Sequence, residues 1–220
     1  MMAKPKKKTK KPHSRSLMNR SDIPYAQRMA MKHQAEIEWH REHAARIYMY
    51  CLCKALHEKE KKGYKSLVQF SLVFMELIKE FYEDPELAMA RIKRRLAQNG
   101  IEVSGEFYSV KIPGATAKKQ EIHDNSMQST QAAQYVGAVA MNDVFGFANI
   151  RQERLREAVR ENTARYAKEG EGFLLDYMKK IGFKVEGNKV MAFVDDDGKA
   201  VPVSRAMKEG WADGEQKTSD

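Results

Sequence analysis

The stretch KSLVQFSLVFMELIKEFY, at positions 65–82, is the most hydrophobic part of this 220-residue chain. We expect a helix of these residues to lie at the centre of the core, because apolar side chains surround it nearly completely. Burial of each large side chain contributes ~1.5–3 kcal/mol to folding. Gln69, Ser71 and Glu76 interrupt the run, which is also too short to span a bilayer, so no contact with a membrane is predicted. The apolar members are Leu67, Val68, Phe70, Leu72, Val73, Phe74, Leu77, Ile78 and Phe81.

Helix start and stop signals on both sides of this stretch predict a mainly α fold. Ser21-Asp22-Ile23-Pro24 predicts the start of a long first helix, which Gly63 is expected to end. Asp84-Pro85 caps a third helix, which runs to Gln98 and closes at Asn99-Gly100. Apolar periodicity predicts three further helices, at about 127–141, 143–168 and 173–181.

These elements predict two packed helical parts with one or two small β-hairpins. The first part, 21–112, ends in a weak hairpin signal at 101–103 and 107–112. Residues 113–126 have no apolar periodicity and are interpreted as a linker or exposed loop. The second part, 127–212, contains a second hairpin signal, in which 189–194 and 199–203 flank the turn sequence DDDG at 195–198. A last helical turn is expected at 204–211, and 213–220 is expected to fray.

The positive charge is concentrated in residues 1–20, which carry eight basic side chains and no acidic one. The other 200 residues carry 31 basic and 30 acidic side chains, so they are close to neutral. Such a tail cannot bury enough apolar surface to fold, and we expect it to be disordered. Its flexible ammonium groups suit phosphates bound independently of sequence. A solubilising leader is the alternative interpretation; docking on anionic lipid lacks an adjacent amphipathic helix or a lipidation signal. The candidate phosphate-binding residues are Lys4, Lys6, Lys7, Lys8, Lys10, Lys11 and Arg15.

A second basic cluster occupies the last turns of the third helix. It consists of Arg91, Lys93, Arg94 and Arg95. The helical spacing places Arg91, Arg94, Arg95 and Gln98 on one face, opposite Leu87, Ile92 and Leu96. The cluster is predicted to contact phosphates; the alternative is stabilisation of the helix dipole by cations near the C-terminus. A base-reading helix-turn-helix is disfavoured, because its recognition helix would begin with Pro-Glu-Leu-Ala-Met.

No pattern in the chain predicts a reaction or a cofactor. Glu36, His40 and His43 share a helical face and are weak candidates for zinc or iron ligands, against the alternative of a plain solvated face. The motifs of metallopeptidases, calcium loops, phosphate-binding loops and serine hydrolases are missing. Cys51 and Cys53 form neither a disulfide framework nor a zinc site, which favours the reducing cytosol.

The sequence therefore predicts a cytoplasmic, non-enzymatic protein that binds the backbone of DNA or RNA. The tail would supply non-specific attraction and the third helix an ordered contact. The alternative hypothesis is a protein-interaction module, an inhibitor or assembly factor with a neutral helical surface, such as an accessory protein of a phage or mobile element. Release of the bound partners by nuclease would distinguish the two.

Overall fold

The computed structural model of the chain describes residues 24–103, 111–194 and 200–201. Within these ranges the fold is mainly α, as the sequence predicts: six helices pack together and two short antiparallel strand pairs follow. The helices are α1 Tyr25–Glu60, α2 Tyr64–Glu83, α3 Pro85–Gln98, α4 Ala117–Phe145, α5 Asn149–Glu169 and α6 Gly172–Lys180. None of these helices is long and apolar enough to cross a membrane.

The centre of the core is α1, which corrects the prediction for positions 65–82. Every residue from Met49 to Leu56 is buried, whereas Leu72 and Met75 on α2 are almost half exposed. Other helices contact this segment from several sides: the Sγ of Cys53 lies 3.6 Å from the Oγ of Ser71 on α2, and the carbonyl of Cys51 accepts a hydrogen bond from Asn162 on α5. α2 nevertheless contributes Phe70 and Phe74 and other buried side chains to the same cluster. That cluster also contains residues of α3, α4, α5 and α6, so the two predicted helical parts share one core.

α1 and α4 run parallel and side by side. His33 contacts Glu121 on α4, and the carbonyl of Arg41 accepts a hydrogen bond from Ser129, also on α4. Both pairs are separated by 88 positions, as a parallel arrangement requires. At Gly137 the two helices approach so closely that a Cβ would lie 2.6 Å from Leu52 Cδ1. A larger residue at position 137 would therefore require Leu52 or α1 to shift.

The structure corrects the prediction of a loop at 113–126, because α4 already begins at Ala117. Thr116 caps this helix by accepting a hydrogen bond from the backbone N–H of Lys119. Residues 117–126 are mostly polar because they pack only against one side of α1. An apolar period is absent where a helix buries so little of its surface.

The ends of α1 also differ from the prediction. The helix ends at Glu60, and Lys61, rather than Gly63, adopts the left-handed conformation that closes it (φ 54°). Gly63 instead precedes the first residue of α2. Pro24 precedes α1 and no side chain caps it; the predicted capping residues 21–23 lie outside the described residues.

Two strand pairs follow α6. β1 Lys184–Glu186 pairs with β2 Lys189–Met191 around a two-residue turn, and this hairpin was not predicted from the sequence. β3 Phe193–Val194 pairs with β4 Ala200–Val201 in the region of the second predicted hairpin. The predicted hairpin at 101–112 falls largely on 104–110, which lie outside the described residues, as do 195–199, 202–220 and the tail 1–20.

Among the described residues, the first part of α1 and the start of α4 extend beyond the other helices. Tyr82, at the end of α2, donates a hydrogen bond to the carbonyl of Arg41, and Tyr166, near the end of α5, contacts His43. Residues 25–41 of α1 and 117–128 of α4 continue past this level, and together we call them the arm. In the α1 part of the arm, residues 25–41, Ile37 is the only described residue that is buried.

Candidate nucleic-acid interface

The orientation of α3 is fixed by its cap and its apolar stripe. The side chain of Asp84 accepts a hydrogen bond from the backbone N–H of Leu87 at 3.1 Å, and Pro85 occupies the first helical position. Ala88, Ile92 and Leu96 are buried against the core. Leu87 is 47% exposed, so its predicted place on the core side is wrong. It lies with the arginines on the outward face: at 100° per residue, Leu87 is about 140° around the helix from Ile92 but only about 40° from Arg91.

All four predicted cations of α3 are exposed: Arg91, Lys93, Arg94 and Arg95. Arg95 is engaged within the chain, since its Nη2 lies 2.7 Å from Oδ2 of Asp143 on α4. Among the described residues, Arg91 and Arg94 have no acidic partner within ion-pair distance. The outward face of α3 therefore presents two guanidinium groups to solvent.

Lys93 lies beside an aromatic ring rather than an acid. Its Nζ is 5.6 Å from the ring centroid of Tyr135 on α4, within the range of a cation–π contact. Lys93 and Tyr135 also line a cavity of about 420 Å³ that is bordered by Glu102 and by Ile101. The ammonium group of an exposed lysine can donate hydrogen bonds to a phosphate, and an aromatic ring beside it can stack on a base.

The metal candidates are not arranged as ligands. The guanidinium of Arg46 donates to Nδ1 of His43 at 3.1 Å, so Nε2 carries the proton and donates to the hydroxyl of Tyr166 at 3.0 Å. Burial lowers the pKa of His43, and the ring of Trp39 stacks on it at 4.9 Å. Among the described residues no three His, Cys, Asp or Glu side chains are close enough to hold a metal. The ligand set Glu36, His40 and His43 is therefore not formed.

Neither thiol is placed to act as a nucleophile. Cys51 and Cys53 are both free and fully buried. Burial raises the pKa of Cys51 to about 11 and that of Cys53 to about 12, although Thr163 and Ser71 respectively hydrogen-bond to them. At neutral pH both groups are thiols, and they serve as small apolar side chains of the core.

A second cavity, of about 540 Å³, lies between α1, α4 and α5. Its wall is mostly apolar. Gln152 borders it and donates from Nε2 to the carbonyls of Ala138 and Phe147, at 3.0 and 2.9 Å. These bonds join the end of α4 to the start of α5, so Gln152 has a structural role. Burial raises the pKa of Tyr48, another residue of the wall, which keeps its hydroxyl neutral.

The structure adds two residues to this surface that were not predicted from the sequence. Asp143 neutralises Arg95, and Tyr135 accompanies Lys93. Each lies more than 40 positions from its partner, so no local spacing could reveal it. Comparison of the chain with protein-family models, with curated proteins and with solved structures gave no match.

Proposed function

We propose that this chain is a non-enzymatic nucleic-acid-binding protein of the cytoplasm that contacts the backbone of DNA or RNA. The observation that carries the proposal is the outward face of α3, where Arg91 and Arg94 are exposed without an acidic partner among the described residues. Arginine binds phosphate through two parallel hydrogen bonds, so two exposed guanidinium groups are suited to contacts with the phosphates of a nucleic-acid backbone. Lys93 adds a third cation beside Tyr135.

The basic tail supplies the second half of the proposed site, through Lys4, Lys6, Lys7, Lys8, Lys10, Lys11 and Arg15. The tail joins α1 at its free end. α3 begins near Arg41, which is 16 residues along α1 from Tyr25, or about 24 Å at the helical rise of 1.5 Å. Twenty residues span up to roughly 70 Å when fully extended. One polyanion can therefore contact both the tail and α3.

Salt dependence of binding tests the proposal. Anisotropy titrations with a labelled DNA duplex and a labelled RNA strand would compare the full chain with the variant Arg91→Gln/Arg94→Gln. Each lost phosphate contact lowers the slope of log K against log salt by about 0.9 on duplex DNA, so the double variant should lose about 1.8. The matched control is Arg151→Gln/Arg154→Gln, which removes two exposed arginines from α5.

A second variant separates the tail from α3. Replacement of the six tail lysines by glutamine should lower the slope further, with a similar loss on DNA and RNA. Equal slopes for the full chain, the α3 variant and the control would refute the role of α3. An unchanged slope for the tail variant would refute the role of the tail.

The alternative function, a protein-interaction module, is favoured by one observation. Large apolar side chains are exposed on the arm, among them Tyr25, Met31 and Trp39. Exposed aromatic and methionine side chains are enriched at protein interfaces. An accessory protein of a phage or mobile element would fit this function. Association with one protein that survives nuclease treatment of a lysate would support it over nucleic-acid binding.

A further inference from the structure

The exposed side of α1 in the arm carries a regular stripe. Its six members follow one another at spacings of four, three, four, three and four, which is the a and d pattern of a coiled coil. Within this stripe the outer members are aromatic, methionine or histidine and the two central ones are charged. The stripe, which we call the seam, consists of Tyr25, Met29, Lys32, Glu36, Trp39 and His43.

The seam is not the side of α1 that packs against α4. His33, Ile37 and Arg41 face α4, through the contact of His33 with Glu121, the burial of Ile37 and the bond of Arg41 with Ser129. At 100° per residue, the seam is centred about 120° around the helix from the side that faces α4. In the part of the chain that the structure describes, α5 reaches it only at His43.

The apolar members of the seam are open to solvent. Tyr25 is 72% exposed, Trp39 is 54% exposed and Met29 is 37% exposed. Lys32 and Glu36 are exposed between them. A tryptophan on an outward coiled-coil stripe indicates a contact that the single chain leaves open, because such residues dominate binding energy when they are buried.

The order of residues along the seam is complementary to itself. If a second copy of α1 lies antiparallel, with the two-fold axis between Lys32 and Glu36, then each Lys32 meets the partner copy's Glu36. On either side of this centre, Met29 of one copy meets Trp39 of the other, and further out Tyr25 of one copy meets His43 of the other. The Met–Trp pairs allow sulfur–aromatic contacts. A parallel arrangement would instead place Lys32 against Lys32 and Glu36 against Glu36.

Charges beside the seam agree with the same arrangement. Arg28 and Glu42 both lie on one flank of the seam, one residue before Met29 and His43 respectively. In the antiparallel pair these flanking positions of the two copies face each other, so Arg28 of each copy lies opposite Glu42 of the other. Opposite charges at flanking positions set the orientation of coiled coils.

We propose that the occupant of the seam is a second copy of this chain, bound through the arm as an antiparallel, two-fold dimer. Lys32 and Glu36 determine the register and the orientation, and Met29 and Trp39 provide most of the apolar contact. A charged central layer weakens the dimer relative to an apolar one and excludes the parallel alternative. The proposal rests on the seam alone and is independent of nucleic-acid binding.

Charge reversal on the full-length, nuclease-treated protein tests the dimer. Sedimentation velocity over a concentration series should show a dimer for the natural chain. Lys32→Glu and Glu36→Lys each place two like-charged pairs at the centre and should raise the dissociation constant by at least ~100-fold. A one-to-one mixture of these two variants should dimerise again, as should the double variant Lys32→Glu/Glu36→Lys.

The control is Lys65→Glu, which makes the same charge change at an exposed position of α2 and should leave the dimer intact. Far-UV circular dichroism of each variant would show that the fold is kept. The proposal is overturned by a monomer at ~1 mM natural chain, since a dimer weaker than this stabilises by less than about 4 kcal/mol. It is equally overturned by a dimer that single reversals do not weaken, or by a mixture that stays monomeric.

Discussion

Replacement of Gly137 by alanine should destabilise the fold, although alanine is the better helix former. Gly137 lies inside α4, where the exchange of glycine for alanine contributes about 0.8–1 kcal/mol of stability through helix propensity. The new Cβ would lie 2.6 Å from Leu52 Cδ1, whereas carbon atoms pack at about 3.5–4.0 Å. α1 or Leu52 must therefore move by roughly 1 Å.

The magnitude follows from two opposing terms. Leu52 is 1% exposed and is held by the surrounding core, so overpacking costs about 1–3 kcal/mol. Subtraction of the propensity gain leaves a net loss of about 1 kcal/mol. In a Leu52→Ala background the clashing methyl group is gone, and Tyr48 and Phe74 remain at the ordinary distances of 3.4 and 3.7 Å. There Gly137→Ala should stabilise the protein by about 0.8 kcal/mol.

Urea unfolding followed by circular dichroism measures the stability of the natural chain, of Gly137→Ala, of Leu52→Ala and of the double variant, which together form a double-mutant cycle. The coupling free energy between Gly137→Ala and Leu52→Ala should be about 1–3 kcal/mol, with equal m-values for the four proteins. Gly172→Ala is the control, because nothing lies within 4 Å of a Cβ at that position. A gain from Gly137→Ala that is equal in both backgrounds would refute the close approach of α1 and α4 at this residue.

Three further predictions concern single groups. Asp84→Ala removes the cap of α3 and should lower the free energy of unfolding by about 1 kcal/mol in chemical unfolding. The control Glu86→Ala, in the first turn of the same helix but without a cap bond, should change it much less. Cys51 and Cys53 should react with a thiol reagent at pH 8 only as fast as the protein unfolds, because their raised pKa values keep them protonated and burial excludes the reagent; immediate reaction of the folded protein would contradict this. Burial holds the pKa of His43 below 6.5, so the unfolded chain binds more protons than the folded chain as the pH falls through 6.5, and acidification should lower the free energy of unfolding. The dependence of this free energy on pH should be weaker in His43→Gln, and an identical dependence in the two proteins would exclude the effect.

Local signals in the sequence located several helix ends well. Asp84 and Pro85 predict the start of α3 because an N-cap side chain and a proline act within one turn. Gln98 ends the same helix, as predicted from Asn99 and Gly100. The region of β3 and β4 was likewise predicted from alternation on either side of a turn sequence. In each case the residues that decide the structure lie next to one another in the chain.

The location of the core centre required the tertiary structure. α2 has the stronger apolar composition, yet α1 is the helix surrounded on all sides, because α2, α4, α5 and α6 all pack on Met49–Leu56. The first turns of α4 were missed for the opposite reason. They cover only one side of α1 in the arm and need few apolar residues, so their composition resembles that of a loop.

The sequence by itself determined the helical character of the chain, the concentration of positive charge in residues 1–20 and the basic face of α3. Only the tertiary structure decided that Asp143 neutralises Arg95 and that Tyr135 lies beside Lys93. It also decided that, within the described part of the chain, α1 extends past the ends of α2 and α5 and leaves the seam exposed. The physical reason is one of range. Helix signals act between residues one turn apart, whereas burial and ion pairing depend on groups brought together from distant parts of the chain.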